Sequence, residues 1–109
     1  MTLSVRTVCG PAVAVTVQGM PKYVIERELP GAGQLSDDEV CSISRTSNEV
    51  LAGMPDVQWM HSYVTDDKIF CVYVAPDADH LRQHAEKGGF PANAVHEVAR
   101  TIDPTTGGR

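Results

Sequence analysis

The chain of 109 residues lacks paired cysteines, since its three cysteines are isolated along the sequence. Cys9, Cys41 and Cys71 lie far apart and are odd in number, so the chain contains no C-x-x-C zinc site or redox couple. The simplest interpretation is that these are reduced thiols, which are typical of the cytoplasm. We therefore expect a cytoplasmic protein.

Positive charge and long apolar runs are also scarce. The net charge is -5, whereas binding to phosphates requires a basic surface, so nucleic acid is not expected as a partner. No apolar run approaches the roughly 20 residues of a membrane helix. The first 19 residues contain only one basic residue and are interrupted by Gly10-Pro11, which makes a poor secretory signal. We expect neither a membrane nor a nucleic-acid partner.

The length of the chain fits a single domain with one hydrophobic core. A strong strand pattern begins at Met20, which indicates that the domain starts there. We predict that residues 1–19 are an N-terminal extension outside the fold, that 20–106 form the domain, and that 107–109 are a tail.

The order of the predicted elements indicates the fold class. Strands are predicted over 23–28, 57–65, 69–75 and 95–102. A first helix begins at the capping box Ser36-Asp-Asp-Glu39, and a second runs from Asp77 to Gly88-Gly89. The order β-α-β-β-α-β predicts a ferredoxin-like α+β sandwich, with two helices on one face of an antiparallel sheet.

The pairing of the second and third strands depends on the turn at Asp66-Asp67-Lys68. We expect Phe70, Val72 and Val74 to face the helices. With a three-residue turn, the opposite, helix-free face carries an aromatic group of side chains: Trp59, His61, Tyr63, Cys71 and Tyr73. A two-residue turn shifts this register by one residue. Such an aromatic face predicts either a homodimer through the sheet or a small-ligand pocket.

Two histidines of the second helix form a candidate metal site. His80 and His84 are four residues apart, and with Asp77 and Lys87 they fall on one stripe of the helix that we expect to face solvent. Neutral imidazoles bind nickel, copper and zinc, and a carboxylate can complete the shell. The alternative is a solvated helix face without a ligand.

His61 supports a second hypothesis. An imidazole titrates near neutral pH and can serve as a metal ligand or a general base, or it can simply lie in an interface. Because the first and third strands are neighbours in this topology, Glu26, His61 and Tyr73 form a candidate acid-base pocket. The alternative function is therefore a cofactor-free enzyme or small-molecule binder. A third possible function is that of an interaction module whose sheet face only forms a dimer.

Several segments together resemble a known family. They are His61 to Pro76, His84-Ala85, Gly88 to Ala92 and Ile102 to Thr106. They are similar to a family of small bacterial proteins, formerly of unknown function and now labelled nickel-binding, and the resemblance covers roughly Met20 to Thr106. It implies a ferredoxin-like dimer that binds nickel at its surface, for sequestration or detoxification. With His84 inside a matching segment, we predict a site for nickel, or another divalent transition metal, at His84, His80, Asp77 and His61.

Overall fold

Four antiparallel strands and two α-helices form the fold in a computed structural model that describes residues 20–108. The elements follow the order β1 (Lys22–Glu28), α1 (Asp37–Ala52), β2 (Gln58–Val64), β3 (Lys68–Val74), α2 (Ala78–Gly88) and β4 (Ala94–Glu97). The strand order in the sheet is β2-β3-β1-β4, and each neighbouring pair is antiparallel. The predicted β-α-β-β-α-β order is confirmed. The proposed extension at residues 1–19 lies outside the described residues and stays a prediction.

The helices begin and end at the residues that favour those positions. Glu39 N–H donates to Ser36 Oγ at 3.1 Å, and Ser36 N–H donates to Glu39 Oε1 at 2.8 Å, so the predicted capping box is formed. Asp77 is the N-cap of α2. Gly89 ends α2 in the left-handed region, with φ 72, where glycine carries no Cβ penalty.

The β2–β3 hairpin is closed by a two-residue turn. Thr65 N–H donates to Lys68 O at 2.8 Å, which leaves Asp66 and Asp67 as the turn residues. Tyr63 therefore pairs with Phe70. The prediction of a three-residue turn, with Tyr63 opposite Cys71, is wrong, and the alternative register is the one observed.

A β-bulge in β2 separates two aromatic side chains that were expected on one face. Trp59 pairs with Tyr73 whereas His61 pairs with Val72, so Met60 is the additional residue between them. Strict alternation would place Trp59 and His61 on the same side of the sheet. The bulge places Trp59 on the helix-covered side and His61 on the helix-free side.

The core lies between the helices and the sheet face formed by alternate residues of β1 and β3. Ile25 and Leu81 are fully buried there, together with Tyr23, Cys71 and Tyr73. Phe70 and Val72 lie on the opposite face and are only half-buried. The predicted assignment of the two faces of β3 is therefore wrong. Both faces of this strand are apolar, so its own pattern gave no sign of which one faces the helices.

The last strand is shorter than predicted. β4 ends at Glu97, and no regular structure is assigned from Val98 to Asp103, whereas the expected strand reached 102. A 3-10 helix over Pro104–Gly107 follows, capped by Asp103. Within residues 20–108, no helix has the length and apolar character needed to cross a membrane.

Candidate functional site

The N-terminal turn of α2 orients one imidazole towards the surface. His80 Nδ1 lies 2.7 Å from Asp77 Oδ1, which also accepts the backbone N–H of His80 at 3.0 Å. The hydrogen bond from the His80 side chain is the main reason that the pKa of Asp77 is lowered. Because an ionised carboxylate only accepts hydrogen bonds, Nδ1 is the donor of this contact, and in the neutral imidazole Nε2 then carries the lone pair. A carboxylate that fixes the tautomer in this way is the usual partner of a metal-binding histidine.

His84 lies inside the protein. Its ring is fully buried, with Nε2 3.1 Å from Ser47 Oγ of α1 and ring-centroid distances of 5.4 Å to Tyr73 and 5.6 Å to Phe90. The expected solvent-facing stripe of His80 and His84 is therefore wrong. His84 follows Leu81 by three residues, which places it on the buried side of α2.

Burial keeps the His84 imidazole neutral. The loss of solvent lowers the pKa of His84 to about 4, and the positive charge of Arg27 acts in the same direction. Its Nδ1 is buried and has no hydrogen-bond partner among residues 20–108. A surface metal ion has no access to this ring, since no part of His84 is exposed.

The candidate metal ligands do not form a complete shell within the part of the chain that the structure describes. Within residues 20–108, no group of three or more His, Cys, Asp or Glu side chains is placed to hold an ion. What one copy offers is the oriented imidazole of His80, whose side chain is 35% exposed.

The predicted acid-base pocket is divided between the two faces of the sheet. Glu26 lies on the helix-free face, where Lys68 Nζ contacts its Oε2 at 2.7 Å and is the main cause of its lowered pKa. His61 is on the same face, edge-on to Tyr63 with 5.0 Å between ring centroids. Tyr73 is buried on the other face. The prediction that Glu26, His61 and Tyr73 share a pocket is wrong.

A cavity of about 500 Å³ lies on the opposite, helix-covered side of the sheet. Its lining includes several hydroxyl side chains and one charged side chain, that of Arg27, which is only 4% exposed. The guanidinium donates from Nη1 to Pro91 O at 2.6 Å, from Nη2 to Tyr73 Oη at 3.3 Å and from Nε to Cys71 Sγ at 3.4 Å. Its carbon Cζ lies 5.4 Å from the centroid of the Phe90 ring. Arginine is almost never fully buried without a reason, so this wall is a candidate binding surface.

Arg27 was not predicted as a functional residue. In the first strand only Glu26 was expected to have such a role. The available signal was the alternation in β1, where Arg27 is in phase with the apolar residues Tyr23 and Ile25. A charged residue at a position that a strand pattern predicts to be buried is informative.

The sheet order and the two helices define a ferredoxin-like α+β protein. The crystal structure of SCO4226 from Streptomyces coelicolor A3(2) has the same fold, with a TM-score of 0.64 and 17% sequence identity. The match covers 74% of this chain and 99% of that one. Residues 23–98 match the model of a family described as nickel responsive protein SCO4226-like, and the chain belongs to that family. No curated protein matches the chain.

Proposed function

We propose that the protein binds nickel, or another divalent transition metal ion, through the partly exposed imidazole of His80. The cellular role that follows is sequestration or detoxification of the metal in the cytoplasm. The description of the family as nickel-responsive supports this proposal. The observation that carries it is the 2.7 Å contact between Asp77 Oδ1 and His80 Nδ1, which leaves Nε2 as a ligand.

In this proposal Asp77 orients the ligand and does not itself bind the metal. Its carboxylate accepts the hydrogen bond from Nδ1 of His80, which orients the ring and leaves Nε2 of the neutral imidazole to bind the metal. The net charge of -5 attracts cations to the surface. Because one copy offers one oriented imidazole, a second copy supplies further ligands, and the ion bridges two molecules.

Calorimetric titration with nickel chloride is expected to show binding by the wild-type protein and little or none by His80→Ala. Asp77→Asn should weaken binding about tenfold, because second-shell changes typically cost between tenfold and a hundredfold in metal affinity. Asparagine caps a helix as well as aspartate does, so α2 should remain folded. The matched control is His96→Ala, which removes another exposed imidazole and should leave binding unchanged.

Two results would contradict the His80 site. Absence of nickel binding by the wild type would reject the metal function itself. Unchanged binding by His80→Ala, together with loss of binding by His61→Ala, would move the site to the helix-free face. Sedimentation velocity tests the bridging step, since nickel should increase the mass of the wild-type assembly and not that of His80→Ala.

We also propose that the helix-free face of the sheet pairs with a second copy of the chain. Tyr63 supports this assignment because it is 61% exposed beside the half-buried apolar residues Phe70, Val72 and Val24. A twofold axis would place the same apolar strip on itself, which is the commonest way to cover such a face.

The dimer is expected to dissociate at least tenfold more readily in Tyr63→Glu, measured by sedimentation equilibrium without metal. A carboxylate introduced into an apolar interface loses its hydration without gaining a partner. The control is Gln83→Glu, which adds the same charge at an exposed position of α2. Equal dimer stability of the two variants would exclude this face, as would a wild-type protein that remains monomeric.

A further inference from the structure

The cavity under α1 has the size and composition of a small-molecule site. Its volume of about 500 Å³ falls within the range of roughly 300–1,000 Å³ that is usual for such sites. Apolar side chains form most of its wall, among them Ile43 of α1, Ile69 of β3 and Phe90. The lining includes Val40, which is 38% exposed, so the cavity reaches the surface.

The buried guanidinium of Arg27 gives this apolar cavity a single positive charge. Within residues 20–108 it forms no ion pair with a carboxylate, since the ion pairs of this part of the chain involve other cations. Its three hydrogen bonds go to a carbonyl, a phenol and a thiol, all of which are uncharged when the thiol is protonated. A guanidinium has five N–H groups, so two remain without an acceptor among the described residues. A buried charge without a counterion is costly, and an anionic ligand would remove that cost.

The neighbouring groups hold the guanidinium in place for such a ligand. Pro91 O, Tyr73 Oη and Cys71 Sγ accept from three different nitrogens, and the Phe90 ring lies beside the guanidinium. A guanidinium with free N–H groups pairs with a carboxylate through charge-assisted hydrogen bonds, which are stronger than those between neutral groups.

We propose that this cavity binds a small organic acid, whose carboxylate pairs with Arg27 while its apolar body lies between α1 and the sheet. The site is separate from the proposed metal site at His80, which lies at the N-terminus of α2. Binding of the acid therefore requires no metal.

Trp59 provides the readout, because it lines the cavity and is the only tryptophan of the chain. Octanoate and 1-octanol, which share an apolar chain and differ in charge, are titrated in the presence of EDTA while the emission of Trp59 is followed. The wild-type protein should bind octanoate at least about tenfold more tightly than octanol, because hydrogen bonds to charged groups are worth about twice the neutral ones. Arg27→Gln should abolish this preference.

Two further variants complete the test. Arg82→Gln removes an exposed arginine of α2 and should keep the preference for octanoate. Ser44→Phe places an aromatic ring in the cavity from α1 without changing any charge, and it should weaken both ligands about tenfold or more. This variant keeps the test valid where Arg27→Gln does not fold. Equal affinity of the wild type for octanoate and octanol, no binding of octanoate, or unchanged binding in Ser44→Phe would each overturn the proposal.

Discussion

Acidification from pH 6.5 to pH 4 is expected to reduce the free energy of unfolding by about 3 kcal/mol through His84 alone. An unfolded histidine takes up its proton near pH 6.5, whereas the pKa of His84 in the folded protein is about 4. Between these values the unfolded chain binds more protons, so stability falls as the pH falls. Above pH 6.5 the contribution of His84 is constant, and below pH 4 it is lost completely.

Urea denaturation at a series of pH values measures this effect. His84→Gln carries no titratable group and should lack the loss between pH 6.5 and pH 4, so the difference from wild type isolates His84. The pKa values of Glu26 and Asp77 are also lowered in the folded protein. Their contributions to the free energy of unfolding therefore also fall as the pH falls, but at more acidic pH. His61→Gln, which changes an exposed imidazole, is the matched control. Identical slopes for wild type and His84→Gln would contradict a buried, neutral His84.

The elements with local signals were predictable from the sequence. Ser36 and Glu39 determine the start of α1 through backbone hydrogen bonds within one turn, and Gly89 determines the end of α2 through its own backbone conformation. These interactions need no information from the rest of the chain. The order of elements followed from them, and with it the ferredoxin-like fold.

The positions of the site residues depend on two features of the backbone that the local sequence does not clearly indicate. One is the turn at Asp66-Asp67, where a length of two or three residues moves Tyr63 from Cys71 to Phe70. The other is the bulge at Met60, which reverses the side of Trp59 relative to His61. Each moves the side chains of a whole strand segment to the other side of the sheet, because side chains alternate with a period of two. The prediction that the aromatic side chains share the helix-free face was wrong for this reason.

The rotation of α2 could not be determined from its polar residues. His80 and His84 are 40° apart on a helix, so the boundary between exposed and buried sides can fall between them. Leu81 and Ala85 indicate the buried side, and His84 adjoins it. Its burial depends on Ser47 of α1, which offers a hydroxyl opposite Nε2. Such a contact between two helices is a property of the fold and not of either segment.

The largest effect of a single substitution is expected in the core beneath the helices. Ile25 is fully buried on the helix-covered face of β1 and packs in the cluster that contains Leu81 and Tyr73. Ile25→Ala should reduce the free energy of unfolding by about 3–4 kcal/mol, because truncation removes buried apolar surface and leaves a cavity. For a domain of this size, such a loss corresponds to a fall in melting temperature of roughly 15 °C or more.

Val24→Ala is the control, because Val24 is the neighbour of Ile25 on the helix-free face and is only half-buried. Its cost should be about 1 kcal/mol when measured at protein concentrations that keep the chain monomeric. At higher concentrations the cost should rise if the helix-free face forms the dimer, since Val24 then becomes buried, whereas the cost of Ile25→Ala should not change. Equal costs of the two substitutions in the monomer would contradict the assignment of the core to one face. The pair therefore tests both the orientation of the sheet and the proposed interface with one measurement.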